Sequence, residues 1–163
     1  MINEVYRLIA PKQIRTDFVD EIIVDEVVVR PTYLSICAAD QRYYTGSRGK
    51  EIMSKKLPMA LIHEGVGEVL FDPKNEFAKG TQVVMIPNTP VETDDIIKEN
   101  YLRSSKFRAS GFDGFMQGLV LMDRTRIIPF TNIPQRTAVL LELTSVVMNA
   151  MENFKLHSHA RRD

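Results

Sequence analysis

Residues 61–72 read LIHEGVGEVLFD. His63 stands directly before Glu64, inside a run of β-type residues. Gly65 and Gly67 permit close backbone approach or a bulge, so the stretch reads as a bent strand or a strand pair. Two adjacent polar groups in an apolar run are costly to bury unless something satisfies them. A metal ion that takes an imidazole and a carboxylate is one reading. Two surface residues at a strand bend is the other, and residue type alone favours it.

Outward from this run, the first 130 residues read as strands and turns. EIIVDEVVVRPTYLSI, residues 21–36, holds β-branched runs at 22–24 and 27–29, followed by an expected break at Pro31. KGTQVVMIP, residues 79–87, predicts a turn at Gly80, a strand, and a stop at Pro87. GFDGFMQGLVLMDRTRIIPF, residues 111–130, predicts a turn, a strand, a second turn over Asp123 to Arg126 and a last strand. Between Asn88 and Ser110 the chain turns polar and charged. That segment predicts a long surface excursion with one short helix and no metal, since it holds neither cysteine nor histidine. After Phe130 the pattern is helical: Val139, Leu140, Leu143, Val146, Val147, Ala150, Met151 and Phe154 recur at three- and four-residue spacing. The expected division is a β-rich domain over 1–130 and a connecting helix and tail over 131–163, the helix starting near Pro134. One amphipathic helix at a terminus needs a partner for its apolar face.

The bulk numbers exclude several classes. The 163 residues suit one domain with its own core. Lysine and arginine total 21 against 21 acids, with no basic block, so nucleic acid is not an expected partner. The start, MINEVYRLIAPK, carries an early acid and no secretory pattern, and no run reaches the ~20 apolar residues of a bilayer span. Cys37 is the one cysteine, so no disulfide forms within the chain and a reducing cytoplasm is the expected setting. A lone cysteine is most often a small buried hydrophobe. Even so, Cys37, His63 and Glu64 together offer thiolate, imidazole and carboxylate, the ordinary ligands of Zn²⁺. No CxxC or HExxH spacing supports them.

The succession SICAADQRYYTG (35–46), LPMALIHEGVGEV (57–69), KGTQVVMIP (79–87) and DGFMQGLVL (113–121) resembles the zinc-dependent medium-chain dehydrogenases, the alcohol and polyol dehydrogenase family. That family places a cysteine in a CxxD stretch, then a His-Glu pair with glycines, then a Gly-x-x-Val-Val turn and strand. The resemblance covers about residues 5–155. It implies a GroES-like, partly open β-barrel with short helices and a C-terminal helix. Within the family the chain is similar to the sorbitol dehydrogenase side, where Tyr43 matches a tyrosine over the substrate pocket. Glu142, in LELTSVVMNAM, matches a glutamate at the metal. The runs VYRLIAPKQ, SICAADQRYYTGSR, LPMALIHEGVGEV and VVMIPNTP are most similar to the branch that makes ribitol 5-phosphate from ribulose 5-phosphate for teichoic acid and capsule polymers.

The resemblance implies one catalytic zinc per chain, held by Cys37, His63, and Glu64 or Glu142, with Tyr43 beside the substrate. It implies reduction of a C2 carbonyl by NADPH, a homo-oligomer and a cytidylyltransferase partner. A sugar phosphate needs cations, and Arg42, Arg48 and Arg108 are the candidates. The departures are specific. Ala39 stands where the alcohol dehydrogenases have a proton-relaying hydroxyl, and Ile62 replaces a glycine before the His-Glu pair. The four-cysteine structural zinc lobe has no counterpart. No GxGxxG occurs, so the Rossmann cofactor domain is expected to be absent and the chain alone inactive. Other readings are a polyol dehydrogenase of different specificity, a zinc-free quinone-reductase-like domain, and a non-catalytic remnant.

Overall fold

The computed structural model describes residues 1–94, 96 and 101–159, with the side chains of 156–159 left out. The short helix expected within 88–110 falls partly outside these residues, as does the end of the expected tail.

β1 (Ile2–Ala10) and β2 (Gln13–Asp20) form an antiparallel hairpin. β3 (Val27–Ser35) leads into two short helices, α1 (Ala38–Thr45) and α2 (Lys50–Lys56). β4 (Met59–Ala60), β5 (Glu64–Phe71) and β6 (Gln82–Met85) follow. β7 (Asn88–Thr89) pairs with β8 (Lys106–Phe107) at the foot of the polar excursion. β9 (Val120–Met122), a 3-10 turn (Arg124–Arg126) and β10 (Ile127–Pro129) end the β region. α3 (Gln135–Ala138) and α4 (Leu141–His159) close the described chain.

The strands make a five-stranded sheet in the order β10-β6-β5-β3-β9 and a three-stranded sheet in the order β2-β1-β4. The segment 114–118 joins them. Its amides donate to the carbonyls of Ala60, Ile62 and Leu61 on one side; on the other, Gly118 donates to Glu4 of β1 and Gln117 bridges Val5. The result is the expected partly open barrel. Alternate residues of the large sheet build its interior: Val27 and Val29, Val69, Val83 and Met85, Val120 and Met122, all closing on Phe115. A second cluster joins Leu8 to Tyr43, Met53, Met59, Leu61 and Ile62, which seats α1 and α2 against the small sheet. The Arg7 guanidinium bonds Asp113, whose Oδ1 accepts from the Ala60 amide at 2.8 Å. This tie joins β1, β4 and the segment that carries Asp113.

Three local expectations fail. Residues 22–24 are not a strand, and Ile22 and Val24 are 80% and 77% exposed. The Glu26 carboxylate takes the amides of Val24 and Asp25 at 3.2 and 3.1 Å, so those donors need no ladder. Pro31 does not stop β3. It lies at a register shift between Pro31 and Tyr33, where a missing amide is tolerated. Opposite it, a Cβ on Gly67 would sit 2.5 Å from the Arg30 carbonyl oxygen, so only glycine permits this approach. The C-terminal helix starts where expected, with Pro134 as the cap of α3, but it is broken at Val139 and Leu140. The break lets Ala138 and Val139 pack on Val66 and Val84 of the sheet's other face. The apolar stripe of α4 stays open, with Leu143, Val147, Met151 and Phe154 between 49% and 75% exposed.

Candidate functional site

Cys37 caps the N-terminus of α1, and its Sγ accepts from the Ala39 amide at 3.3 Å. Asp40, at the third helical position, returns the bond: Oδ2 accepts from the Cys37 amide at 3.1 Å. The same oxygen lies 3.1 Å from Cys37 Sγ. Oδ1 accepts from the Ile62 amide at 2.9 Å. One carboxylate, 2% exposed, therefore binds the cysteine turn to the residue before His63.

Ile62 carries a φ of 71°, a left-handed conformation that a β-branched residue rarely adopts. It is held there by the bond to Asp40 and by a 2.6 Å bond from the Phe115 amide to the Ile62 carbonyl. The reversal turns His63 toward α1. His63 Nε2 lies 3.5 Å from Cys37 Sγ across 26 residues of sequence, and Nδ1 lies 4.0 Å from Asp40 Oδ1. The Phe107 ring and the imidazole meet edge to face, centroids 5.1 Å apart and planes at 64°.

The spacing fits a metal. Sulfur and nitrogen bound to one tetrahedral Zn²⁺ at ~2.3 and ~2.0–2.1 Å stand about 3.5 Å apart. Among the described residues, the group with ligand-spaced atoms is Cys37, Asp40 and His63, all within 4.8 Å of one another. Asp40 was not among the expected ligands, and Glu64 is not in the group. Glu64 is 4% exposed at the start of β5, opposite Ser35. Neighbouring residues entering a strand leave on opposite sides, which separates it from His63. Both Asp40 oxygens already serve backbone amides, so it is better placed to fix Cys37 and the turn before His63 than to bind an ion.

Burial disfavours the charged forms of two acids here. Burial pushes the Cys37 thiol up, and the nearby Asp40 carboxylate pushes it further. Burial likewise raises Glu142, in the first turn of α4; Glu64 adds to the rise and His63 opposes it. Glu142 thus feels both members of the His-Glu pair. It also lines a cavity of about 890 Å³ between β6, the β7–β8 hairpin, β10 and α4, with Phe107 and Arg126 on its walls.

The remaining expected residues are placed elsewhere. Tyr43 is 2% exposed in the α1–α2 core, with the Arg48 guanidinium 4.8 Å above its ring. It is a packing residue rather than a wall of the cavity, because α1 turns that face onto the small sheet. Arg42 is exposed in the last turn of α1. Arg108 is turned inward, with Nη2 donating to the Leu121 carbonyl at 2.7 Å and Nη1 to that of Asp113 at 3.3 Å. Burial lowers it to about 10, against the partial support of Asp113 and Glu21. Sequence reasoning missed Asp40 and Phe107. The capping-box spacing from Cys37 to Asp40 was a usable signal. Phe107 lies in the polar excursion and carried none.

The model of the alcohol dehydrogenase GroES-like domain matches residues 24–134. The ribulose-5-phosphate reductase of Bacillus spizizenii is 54% identical over 165 residues, covering 100% of this chain and 48% of that protein. Ribulose-5-phosphate reductase 1 of Staphylococcus aureus is 53% identical, again with 100% and 48% covered. Among solved structures, S. aureus TarJ in complex with NADPH aligns with a TM-score of 0.77 at 45% identity, covering 97% of this chain and 43% of that one. The L-idonate 5-dehydrogenase of Escherichia coli aligns at 0.75 with 20% identity over 86% and 43%, a likeness of fold alone. The chain spans about half the length of the curated relatives it matches.

Proposed function

Because the chain belongs to the alcohol dehydrogenase GroES-like domain family, we propose that it forms the metal and substrate side of a zinc-dependent reductase. The proposed reaction is reduction of the C2 carbonyl of ribulose 5-phosphate by NADPH, giving ribitol 5-phosphate. The observation that carries the metal reading is the 3.5 Å approach of Cys37 Sγ to His63 Nε2. The substrate and cofactor are proposed from the names of the relatives, ribulose-5-phosphate reductases and an NADPH complex.

Cys37, as thiolate, and His63, through Nε2, would hold the zinc, with Glu142 as the remaining oxygen donor; Glu64, which enters β5 on the other side from His63, would serve only after rearrangement. Zinc bound there would act as a Lewis acid on the substrate carbonyl oxygen. Nε2 is the ring nitrogen that faces Cys37, while Nδ1 lies on the Asp40 side, 4.0 Å from Oδ1. Loss of the thiol proton goes with metal binding, which reverses the upward push on Cys37. Ala39 cannot relay a proton and Tyr43 is buried, so the product oxygen takes its proton from water or a neighbouring substrate hydroxyl. Arg42 and Arg48 remain the proposed phosphate partners from the expected set; Arg108 is committed to backbone carbonyls. No helix among the described residues is long and apolar enough to cross a membrane. A cytoplasmic homo-oligomer that works beside a cytidylyltransferase in teichoic acid or capsule synthesis is the proposed setting.

The test is NADPH oxidation by a zinc-loaded protein of the relatives' length that carries these residues, with ribulose 5-phosphate and with ribulose. Turnover that prefers the phosphorylated sugar, and that is lost with zinc in Cys37→Ser, is the expected result. Equal turnover of the two sugars contradicts the proposed substrate. Full activity in Cys37→Ser contradicts the proposed metal site.

A further inference from the structure

His63 is weakly tethered for a residue with a demanding role. Its Nδ1 stands 4.0 Å from Asp40, too far for a hydrogen bond. Among the described residues, the atom within reach of its Nε2 is the Cys37 sulfur, at 3.5 Å. Neither contact fixes the plane of the ring. The Phe107 ring meets it edge to face, centroids 5.1 Å apart.

Phe107 comes from β8, a two-residue strand at the foot of the long excursion. Such a strand is a poor anchor by itself. The next residue supplies one. The Arg108 amide donates to the Pro87 carbonyl at 3.1 Å. Its guanidinium reaches the carbonyls of Leu121 in β9 and of Asp113, and packs against Phe112 and Phe115 at 5.4 and 5.6 Å. Phe115 is fully buried in the main core. Arg108 Nε is itself buried and finds no partner among the described residues. A forked cation bonded to two carbonyls in the barrel wall holds its neighbour to the wall as well.

We propose that Arg108 is a positioning residue: it sets the Phe107 ring against His63 and so fixes the plane of the imidazole. What the oriented imidazole then does rests on the metal reading above; the placement itself does not. A substrate-facing role would need the guanidinium to leave the Leu121 and Asp113 carbonyls, which would strand both in the wall.

The test reads the imidazole C–H proton signals of His63 in the metal-free chain, identified by their loss in His63→Asn. The Phe107 ring displaces these signals. Phe107→Leu removes the displacement and Phe107→Tyr keeps it. Arg108→Lys and Arg108→Met are expected to remove it as well, although Phe107 is intact. Arg108→Lys retains the charge and one donor, so it keeps the test open if Arg108→Met fails to fold. Ser105→Ala, which cuts the hairpin's bond to Asn88 but not the guanidinium, leaves the signals in place. A folded Arg108 variant with the wild-type signals overturns the proposal. In the cobalt-loaded chain, Arg108→Lys lowers metal affinity about tenfold, the smaller end of effects seen behind a metal ligand. Failure of the unsubstituted chain to bind cobalt would overturn the metal reading, and the proton signals would still decide this one.

Discussion

Ile62 concentrates the cost of bringing Cys37 and His63 together. A left-handed conformation costs a residue with a Cβ ~1–2 kcal/mol, and glycine avoids it. The Ile62 side chain is nevertheless buried among Leu8, Tyr43 and Met59. Its φ of 71° and its burial therefore pull in opposite directions. Truncation to Ala loses the packing and keeps the strain, at ~2–5 kcal/mol. Ile62→Gly loses the packing but relieves the strain. Denaturant unfolding should thus rank Ile62→Gly above Ile62→Ala by about 1 kcal/mol, with both below the unsubstituted chain. The reverse order would mean that the backbone at this position is not strained. At this scale the sequence was half readable. Cys37, His63 and Glu142 stood out because their side chains carry metal chemistry and match a known pattern. Asp40 stood in the same quoted stretch, yet its role depends on an amide 22 residues away. The surroundings of Tyr43 and Arg108 were hidden for the same reason. Their residue types suit a pocket, but tertiary packing turned both inward.

Elements were more legible than contacts. The β-branched runs at 27–29 and 82–85, and the turn before the last strand, were visible because alternate residues fill one interior. Local propensity failed where a side chain replaced the ladder, as Glu26 does beside Val24, and where a bulge absorbed Pro31. The turn from β5 to β6 yields a prediction about pH. Asp72 ends β5 and accepts the amides of Lys74, Glu76 and Phe77, with Arg124 Nη2 at 2.6 Å. Burial alone would raise its carboxyl; the three amides and the guanidinium outweigh burial and hold it at about 2, below the ordinary 3.8. A depressed carboxylate stabilises the fold above its ordinary value, and that contribution is lost as pH falls through the folded value. Thermal stability should therefore fall as pH drops from about 4 to about 2. Asp72→Asn should start from a lower midpoint at neutral pH and lose part of this acid dependence. An unchanged acid slope in that variant would place the dependence on other carboxylates.

For the whole molecule, the exposed face of α4 is the feature with the largest consequence. Leu143, Val147, Met151 and Phe154 form an apolar stripe on one side of a 19-residue helix. Open stripes of this kind drive association. The 163-residue chain is predicted to self-associate in a concentration-dependent way, and Val147→Lys with Met151→Lys should shift it toward monomer without lowering its thermal midpoint. Light scattering that reports a monomer before substitution contradicts this. The central claim is that two segments 26 residues apart are folded together to hold one metal ion. X-ray absorption at the zinc edge, on the chain loaded with one zinc, tests it most directly. The account predicts one sulfur at ~2.3 Å with nitrogen and oxygen at ~2.0–2.2 Å, and loss of that sulfur in Cys37→Ser. A shell of oxygen and nitrogen alone, unchanged by Cys37→Ser and His63→Ala, would contradict it.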